Sequence, residues 1–273
     1  MGFYITAGWH QYIPVAVGAI IQNTADHFAA KENVNMFVNT TYRSTEEEIM
    51  DDLSMEGEML RQTLDKLAQI NQRLGGNQAT ISGLHTLLKT ASKNTVINIV
   101  DIGCGSGDML RAVADYGRKN SFVFKLTGID ANEYTINYAR KLSAKYPEIS
   151  FIKMDVLADE FSQMRFDVVL ATLFLHHFSE QQIEQLLFPV VQKAGIGVVI
   201  NDLHRSRAAY YLFKALSLFL TNPMVKKDGA ISVLRGFKKN ELITISKKIK
   251  DSVSTIHWKW AFRYQWIIKK TWQ

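Results

Sequence analysis

The chain has little of what marks several classes of protein. Its single cysteine, Cys104, excludes an internal disulfide and a cysteine-rich metal site. No apolar run is long enough to span a bilayer, and the first residues lack the basic region and cleavage site of a secretory signal. The 273 residues are 47% hydrophobic, which is ordinary for a chain that buries a sizeable core. These features favour a globular protein of the reducing cytoplasm.

Two common nucleotide-binding motifs are also missing. The glycine-rich turn at 103–107 lacks the G-x-G-x-x-G spacing of a dinucleotide site, and no Gly-Lys-Ser/Thr marks a P-loop. No run of His, Asp and Glu residues has the spacing of a metal site, so we expect no metal.

The sequence does contain a strand, a tight turn and the start of a helix between Val96 and Val113. The strand ends in Asp101, and glycines follow at every second position. Glycine lets a backbone approach a ligand closely, and the N–H groups of such a turn attract negative charge. A second apolar strand, 122–129, ends in Asp130, whose carboxylate can accept hydrogen bonds from both hydroxyls of a ribose. The separation of the two acidic residues suits one βαβ unit.

Four motifs in order resemble those of the class I S-adenosylmethionine-dependent methyltransferases: V-D-I-G-C-G-S-G, G-I-D, M-D-V and F-D-V-V-L-A. The resemblance covers residues 96–201. It implies an α/β fold with a Rossmann-like, seven-stranded, mostly parallel sheet whose last strand is antiparallel. It also implies S-adenosylmethionine as the cofactor. The segment 171–174, Ala-Thr-Leu-Phe, departs from the N/D-P-P-Y of adenine and glutamine N-methyltransferases, which disfavours that kind of amine methylation.

The resemblance also assigns cofactor-binding roles by position. Gly103, Gly105 and Gly107 would line the methionine part of the cofactor. Asp130 would hold the ribose, and Asp155 with Val156 would lie along the adenine. The other candidates for cofactor contact are Asp101, Ala131, Thr172 and Arg43. An arginine near the cofactor could pair with its carboxylate, although a surface position for Arg43 is an open alternative.

Three histidines, His176, His177 and His204, follow the fourth and fifth predicted strands. Ligands of open α/β sheets bind beyond the carboxyl ends of the strands. Histidine can take a proton near neutral pH, and a phenol or enol must lose one to be methylated at oxygen. His177 and His204 are therefore the candidate catalytic residues, and Asp202 could orient one of them. Transfer by proximity alone, without a base, is the alternative.

The leading functional prediction is methyl transfer to the oxygen of a small aromatic or polyketide-like metabolite, with C-methylation of a quinone precursor as an alternative. Residues 201–273 carry 15 Lys and Arg against four Asp and Glu. This basic third, with Trp258, Trp260 and Trp266 as stacking surfaces, would suit an RNA methyltransferase. A solvated basic surface explains the charge as well, and nucleic acid is not the favoured partner. A protein that binds the cofactor without turnover is the third possibility.

Three regions are predicted along the chain: a leader or arm at 1–38, an N-terminal helical layer at 39–92 and a methyltransferase domain at 93–273. A translation start near Met36 is one explanation of the leader. Within the layer, Ser44 or Thr45 is predicted to cap a helix.

The segment 208–220 is apolar on nearly all sides, so we expect it to be largely buried. It could form the wall of an apolar substrate pocket, the interface of a homodimer or a contact with a membrane surface. The Lys-Lys-Asp-Gly stretch at 226–229 predicts a turn.

Overall fold

The computed structural model describes residues 37–271, so the predicted leader lies almost wholly outside the described residues. A compact unit begins at Thr40 and includes the rest of the described chain. Among these residues, no helix combines the length and the apolar character needed to cross a membrane.

One sheet of seven strands runs through the described part of the chain. The strands are β1 (Val96–Ile102), β2 (Val123–Asp130), β3 (Ile149–Lys153), β4 (Val168–Thr172), β5 (Gly197–Leu203), β6 (Ser252–Lys259) and β7 (Arg263–Lys270). Their order is β3-β2-β1-β4-β5-β7-β6. Strands β1 to β5 pair in parallel, and β7 is antiparallel to both β5 and β6. The predicted α/β fold with a mostly parallel sheet and an antiparallel last strand is confirmed.

Helices precede the sheet and connect its strands. Within 37–271 they are α1 (Glu58–Arg73), α2 (Gly76–Leu88), α3 (Asp108–Asn120), α4 (Glu133–Leu142), α5 (Asp159–Ser162), α6 (Glu180–Lys193), α7 (Arg207–Ser217), α8 (Pro223–Arg235) and α9 (Lys239–Lys248). Two single-turn 3-10 helices, Ile49–Asp51 and Leu175–His177, lie before α1 and after β4.

Alternate residues of β1 pack into cores on opposite faces of the sheet. Val100 and Ile102 belong to one buried cluster, and Ile97 and Ile99 belong to the other. Because successive side chains of a strand point to opposite faces, a strand covered on both sides must be apolar throughout. This is why the central strands read as continuous apolar runs.

The strand register brings the functional residues to one edge of the sheet. Asp101 of β1 aligns with Gly128 of β2 and with Leu170 of β4. Thr172, the last residue of β4, aligns with Asn201 of β5. The carboxyl ends of the four central parallel strands therefore finish side by side, where ligands of open α/β sheets bind.

The predicted helix capped by Ser44 or Thr45 is wrong. A single 3-10 turn forms instead, and the Asp228 carboxylate of α8 accepts the N–H groups of Ile49 at 2.9 Å and Met50 at 3.1 Å. These bonds to a distant helix replace the local N-cap that the sequence suggested. The first α-helix begins only at Glu58.

The expected burial of 208–220 is also wrong. This segment forms most of α7 and the turn after it, and only Ala209, Ser217 and Leu220 in it are buried, while Leu212 is 59% and Phe219 85% exposed. The predicted turn at 226–229 is wrong as well, because these residues lie within α8. The Asn222 side chain caps that helix by accepting the N–H of Val225 at 3.2 Å, and the cap and the proline that follows it outweigh the turn signal.

Candidate active site

The loop after β1 turns through three glycines with left-handed backbone. The φ angle is 66° at Gly103, 50° at Gly105 and 74° at Gly107, where other residues are strained. A Cβ on Gly105 would meet only Leu64 of α1, at 3.8 Å. The loop therefore presents an open backbone face towards the helical layer. Helix α3 begins directly after the loop, at Asp108, as the strand–turn–helix pattern predicted.

Asp130 at the end of β2 holds the glycine loop in place. Its Oδ2 accepts the N–H of Gly105 at 3.1 Å, and its Oδ1 accepts the N–H of Asn132 at 3.0 Å. Burial raises the pKa of Asp130 above its ordinary value, and these backbone donors partly offset that rise. Each carboxylate oxygen has a second lone pair with which to accept a further hydrogen bond. The geometry suits the predicted ribose contact, which stays a prediction.

The charges beneath the loop fit a cofactor that carries positive groups. Asp101 is buried, and its Oδ1 has no hydrogen-bond partner. Burial, together with the charges of Asp108 and Asp130, raises the pKa of Asp101 well above its ordinary value. Three carboxyl groups in one poorly solvated region favour a positively charged ligand. S-adenosylmethionine has a sulfonium and an ammonium group, so the residues present fit it.

Of the other predicted cofactor contacts, three lie close to Asp130 at the edge of the sheet, and Thr172 lies against helix α2. Ala131 follows Asp130 directly, and the N–H of Met154 donates to the Asp130 carbonyl at 3.0 Å. That bond brings exposed Asp155 and buried Val156 to the same edge. The Thr172 hydroxyl instead lies 3.0 Å from the Thr80 hydroxyl of α2.

Arg43 uses its guanidinium on backbone carbonyl groups. Its Nε donates to the carbonyl of Arg235 at 2.7 Å, and its Nη2 donates to that of His176 at 2.9 Å. The guanidinium also lies over the ring of Phe237, 4.5 Å from the centroid. These contacts tie the start of the helical layer to the segment after β4, and the predicted pairing of Arg43 with a cofactor carboxylate stays a prediction.

A second group of polar side chains, here called the histidine–carboxylate cluster, comprises Glu48, Asp51, His176, His177 and Asp202. Nδ1 of His176 lies 2.7 Å from Oδ1 of Asp202, and both side chains are buried. Burial raises the pKa of Asp202, but the charge and hydrogen bond of His176 outweigh it and the pKa is lowered overall. Asp202 therefore stays ionised and holds the His176 ring with Nδ1–H towards it.

His177 makes the same kind of pair with Asp51. Its Nδ1 lies 2.6 Å from Asp51 Oδ1, and Asp51 Oδ2 accepts Nη1 of Arg235 at 2.5 Å. Burial raises the pKa of Asp51, but the bonds from His177 and Arg235 bring it below its ordinary value. An ionised Asp51 fixes the proton on Nδ1 and leaves Nε2 of His177 to accept one. The His177 side chain is 26% exposed against 4% for His176, so His177 is the accessible member of the cluster.

Glu48 lies between the two pairs. Its Oε2 accepts the Ser232 hydroxyl at 2.7 Å, whereas its Oε1 has no hydrogen-bond partner and lies 3.6 Å from Nε2 of His176. Burial raises the pKa of Glu48 to about 7, and the charge of His177 partly offsets this effect. Glu48 is therefore a group whose protonation changes near neutral pH.

Ligand atoms of Glu48, His176 and His177 lie within 4.8 Å of one another, which is close enough to hold a metal ion. Both histidines already engage a carboxylate through Nδ1. The Arg235 guanidinium, 3.9 Å from Glu48 Oε1, supplies positive charge at the same place. The charges of the cluster are thus balanced by protons and arginine, and the absence of a metal stays a prediction.

Comparison with known proteins agrees with this geometry. A family model described as a methyltransferase domain matches residues 99–192, which include the glycine loop, Asp130 and both adjacent histidines. This stretch is therefore a methyltransferase domain, and the match confirms the predicted S-adenosylmethionine-dependent methyltransferase and its cofactor. In this methyltransferase, the segment after β4 that carries His176 and His177 lies at the same sheet edge as the glycine loop.

The relatives of this methyltransferase are distant. The chain is 26% identical over 138 residues to the ubiquinone/menaquinone biosynthesis C-methyltransferase UbiE of Campylobacter jejuni, covering 50% of the chain and 57% of the relative. The match thus spans little more than half the length of that relative. The plantazolicin methyltransferase BpumL, solved with S-adenosylhomocysteine, is 17% identical with a TM-score of 0.58, covering 77% of this chain and 90% of its own. The CurJ carbon methyltransferase is 13% identical with a TM-score of 0.53, covering 71% and 54%.

The fold separates the two histidines that sequence reasoning selected as catalytic. His204 lies among side chains of the β6–β7 hairpin, with its Nδ1 accepting Nε1 of Trp258 at 3.3 Å and its ring 4.9 Å from that of Tyr264. Burial and nearby Arg205 lower its pKa. None of these contacts is with the cluster around His177. A catalytic role for His204 stays a prediction, and the structure gives it less support than His177.

Sequence reasoning did not select Glu48, Asp51 or Arg235. The acidic residues at 46–48 suggested the first turn of a helix, which is the commonest use of such a run. Asp51 meets His177 from 126 positions away in sequence, and Arg235 meets Asp51 from 184 positions away. Only the folded chain brings them together.

Proposed function

We propose that this methyltransferase transfers a methyl group from S-adenosylmethionine to an oxygen of a small, apolar, aromatic or polyketide-like acceptor. The observation that carries the proposal is the His177–Asp51 pair directly after β4. His177 follows β4 and Asp130 ends β2, and both strands finish at the carboxyl edge of the parallel sheet. A candidate base therefore lies at the same edge as the residue proposed to bind the ribose.

The chemistry needs a nucleophile that has lost its proton and lies in line with the methyl group. The cofactor supplies that methyl group on a positively charged sulfonium. His177 would take the acceptor proton on Nε2, and ionised Asp51 would stabilise the imidazolium that forms. Arg235 keeps Asp51 oriented through its bond to Oδ2. The acceptor oxygen then forms the new bond to carbon as the carbon–sulfur bond breaks, so alignment at near contact distance is the second requirement.

Aromatic side chains beside the loop support an apolar acceptor. The Phe174 ring packs against Gly103 so closely that a Cβ there would overlap it. A second ring, Phe178, lies edge-on to Phe174 at 4.9 Å between centroids. Leu173 between them and β4 has a φ of 54°, a strained value for leucine. This strained turn sets Phe174 over the loop, where it would shield an acceptor from water.

Methylation at carbon is the second candidate. The UbiE relative and the CurJ protein are both carbon methyltransferases. A carbon acid next to a carbonyl would lose its proton to the same base, so the cluster suits both acceptors. The RNA alternative has weaker support, because Trp266 is fully buried and the prediction that it offers a stacking surface is wrong.

The test compares His177→Asn with His204→Asn in the full chain. Each variant is incubated with S-adenosylmethionine and a panel of apolar phenols and enols, and the methylated products are located by mass spectrometry. Losing a general base costs about 10²- to 10⁴-fold in rate, so His177→Asn should fall by that factor while cofactor affinity is unchanged. Turnover of His177→Asn within threefold of the parent would refute the assignment of the base. Products methylated only at carbon would favour the second candidate.

A further inference from the structure

Helix α7 and the turn after it expose several large apolar side chains on one side. Leu212 is 59% exposed, Leu218 77% and Phe219 85%. Contiguous exposed apolar surface of this kind marks an interaction site in most proteins.

On the side opposite these exposed residues, helix α7 packs closely against the rest of the fold. Phe213 faces α8, where a Cβ on Gly229 would overlap its ring, and Ala209 and Ser217 are buried on the same side. Ser206 caps the helix by accepting the N–H of Ala209 at 3.1 Å. The outer face is thus held in place by the inner one.

The outer face consists of two neighbouring rows at helical spacing. One row continues from the helix to Phe219 and is apolar throughout, and the other alternates basic and apolar side chains. The first row is Ala208, Leu212, Ala215 and Phe219, and the second is Arg207, Tyr211, Lys214 and Leu218.

The charged residues of this stretch of chain have one sign. Residues 203–227 contain no Asp or Glu, while Arg207 and Lys214 lie on the outer face and Lys226 and Lys227 follow near the start of α8. An apolar stripe edged with lysine and arginine is the pattern of a helix that lies in the plane of an anionic membrane surface. A second copy of this chain is a poorer occupant, because a symmetric contact would set these positive charges against themselves.

We propose that the outer face of α7, with Leu218 and Phe219 at its tip, docks on an anionic lipid surface. The apolar row would enter the boundary between headgroups and acyl chains, and Lys214 would lie at the headgroup level. Docking would bring the enzyme to apolar acceptors that partition into the bilayer. Vesicle binding needs neither cofactor nor acceptor, so its failure is distinguishable from failure of the proposed function.

The experiment is flotation of the full chain with vesicles of phosphatidylcholine alone or of phosphatidylcholine mixed with the anionic lipid phosphatidylserine. Binding should require the anionic lipid and weaken with added salt. The Leu218→Ser/Phe219→Ser double variant should bind about 100-fold more weakly, since each large apolar side chain contributes about tenfold or more. Lys214→Glu should weaken binding by at least about fivefold.

Matched controls use residues of similar exposure elsewhere on the described chain. Trp260→Ser and Val253→Ser remove apolar side chains that are 71% and 55% exposed on the β6–β7 hairpin and its strands, and both should bind vesicles like the parent. Equal binding by the parent and the Leu218→Ser/Phe219→Ser variant would overturn the proposal. The proposal would also be overturned if the parent did not bind vesicles but formed a dimer, and the double variant did not form that dimer. If a chain shortened to begin at Met36 binds vesicles and the full chain does not, residues 1–35 rather than lipid would be the occupant of the outer face.

Discussion

Glu48 offers a sharp test of the electrostatics of the cluster. Its folded-state pKa is about 7, against 4.5 for an ordinary glutamate, because burial disfavours the charged form. Between these pH values the folded chain holds a proton that the unfolded chain has released. The stability contributed by this proton is fully present below pH 4.5 and is lost as the pH rises through about 7.

The size of the effect follows from the shift. A change from 4.5 to about 7 corresponds to about 3 kcal/mol of unfolding free energy, as an order of magnitude. Glutamine has nearly the same shape and does not titrate. The free energy of unfolding of the parent minus that of Glu48→Gln should therefore fall by about 3 kcal/mol between pH 4.5 and pH 8.

Urea unfolding of both proteins across this pH range measures the difference. Titrating groups distant from Glu48 are common to the two proteins, so their contributions cancel, whereas any coupling with His176 and His177, within 4.0 Å of Glu48, is part of the measured difference. Glu47→Gln, a change at the exposed neighbouring glutamate, is the matched control and should leave the pH dependence unchanged. A difference between parent and Glu48→Gln that stays constant from pH 4.5 to 8 would refute the burial account.

Three further perturbations separate the parts of the site. Asp51→Asn should lower kcat by about 10- to 100-fold, because hydrogen bonds to charged groups contribute about 1.5–3 kcal/mol. An equal loss of cofactor affinity would argue against a role of Asp51 in deprotonating the acceptor. Gly105→Leu should abolish cofactor binding in calorimetry while the circular dichroism spectrum is retained. Gly75→Leu, at a glycine with φ 73° and ψ 16° and nothing within 4 Å of an added Cβ, imposes a comparable left-handed strain and should bind the cofactor normally. Dialysis against EDTA should change the methylation rate by less than about twofold, because arginine and protons already balance the negative charge of the cluster. A loss of activity that one divalent metal restores would show that Glu48, His176 and His177 hold that metal.

The central parallel strands could be predicted from local signals, whereas the number of strands and the antiparallel last strand came from the resemblance. Each central strand is buried on both faces, so it must be apolar, and β1 and β2 carry an acidic residue at the ligand-binding edge. Asp101 and Asp130 could therefore be placed from sequence alone, before any contact was known.

The sequence predictions were wrong where contacts between distant residues, and not local sequence patterns, determined the structure. The turn at Ile49–Asp51 has a local bond from the Glu48 N–H to Asp51 Oδ2, but Asp228 of α8 also binds its N–H groups, and no local pattern predicts that contact. Helix α7 is mostly apolar, which suggested burial, but only its side with Ala209, Phe213 and Ser217 packs against the rest of the fold. Only part of the histidine–carboxylate cluster could be predicted from sequence. His177 follows a predicted strand end, whereas its partner Asp51 comes from the distant helical layer.

The most direct test of the central claim is isothermal titration calorimetry of S-adenosylmethionine with the parent and with Asp130→Ala. If Asp130 binds the ribose beside the glycine loop, the variant should bind about 10- to 100-fold more weakly, from the 1.5–3 kcal/mol that hydrogen bonds to a charged group contribute. An Asp130→Ala variant that binds the cofactor with the parent's Kd would contradict the account.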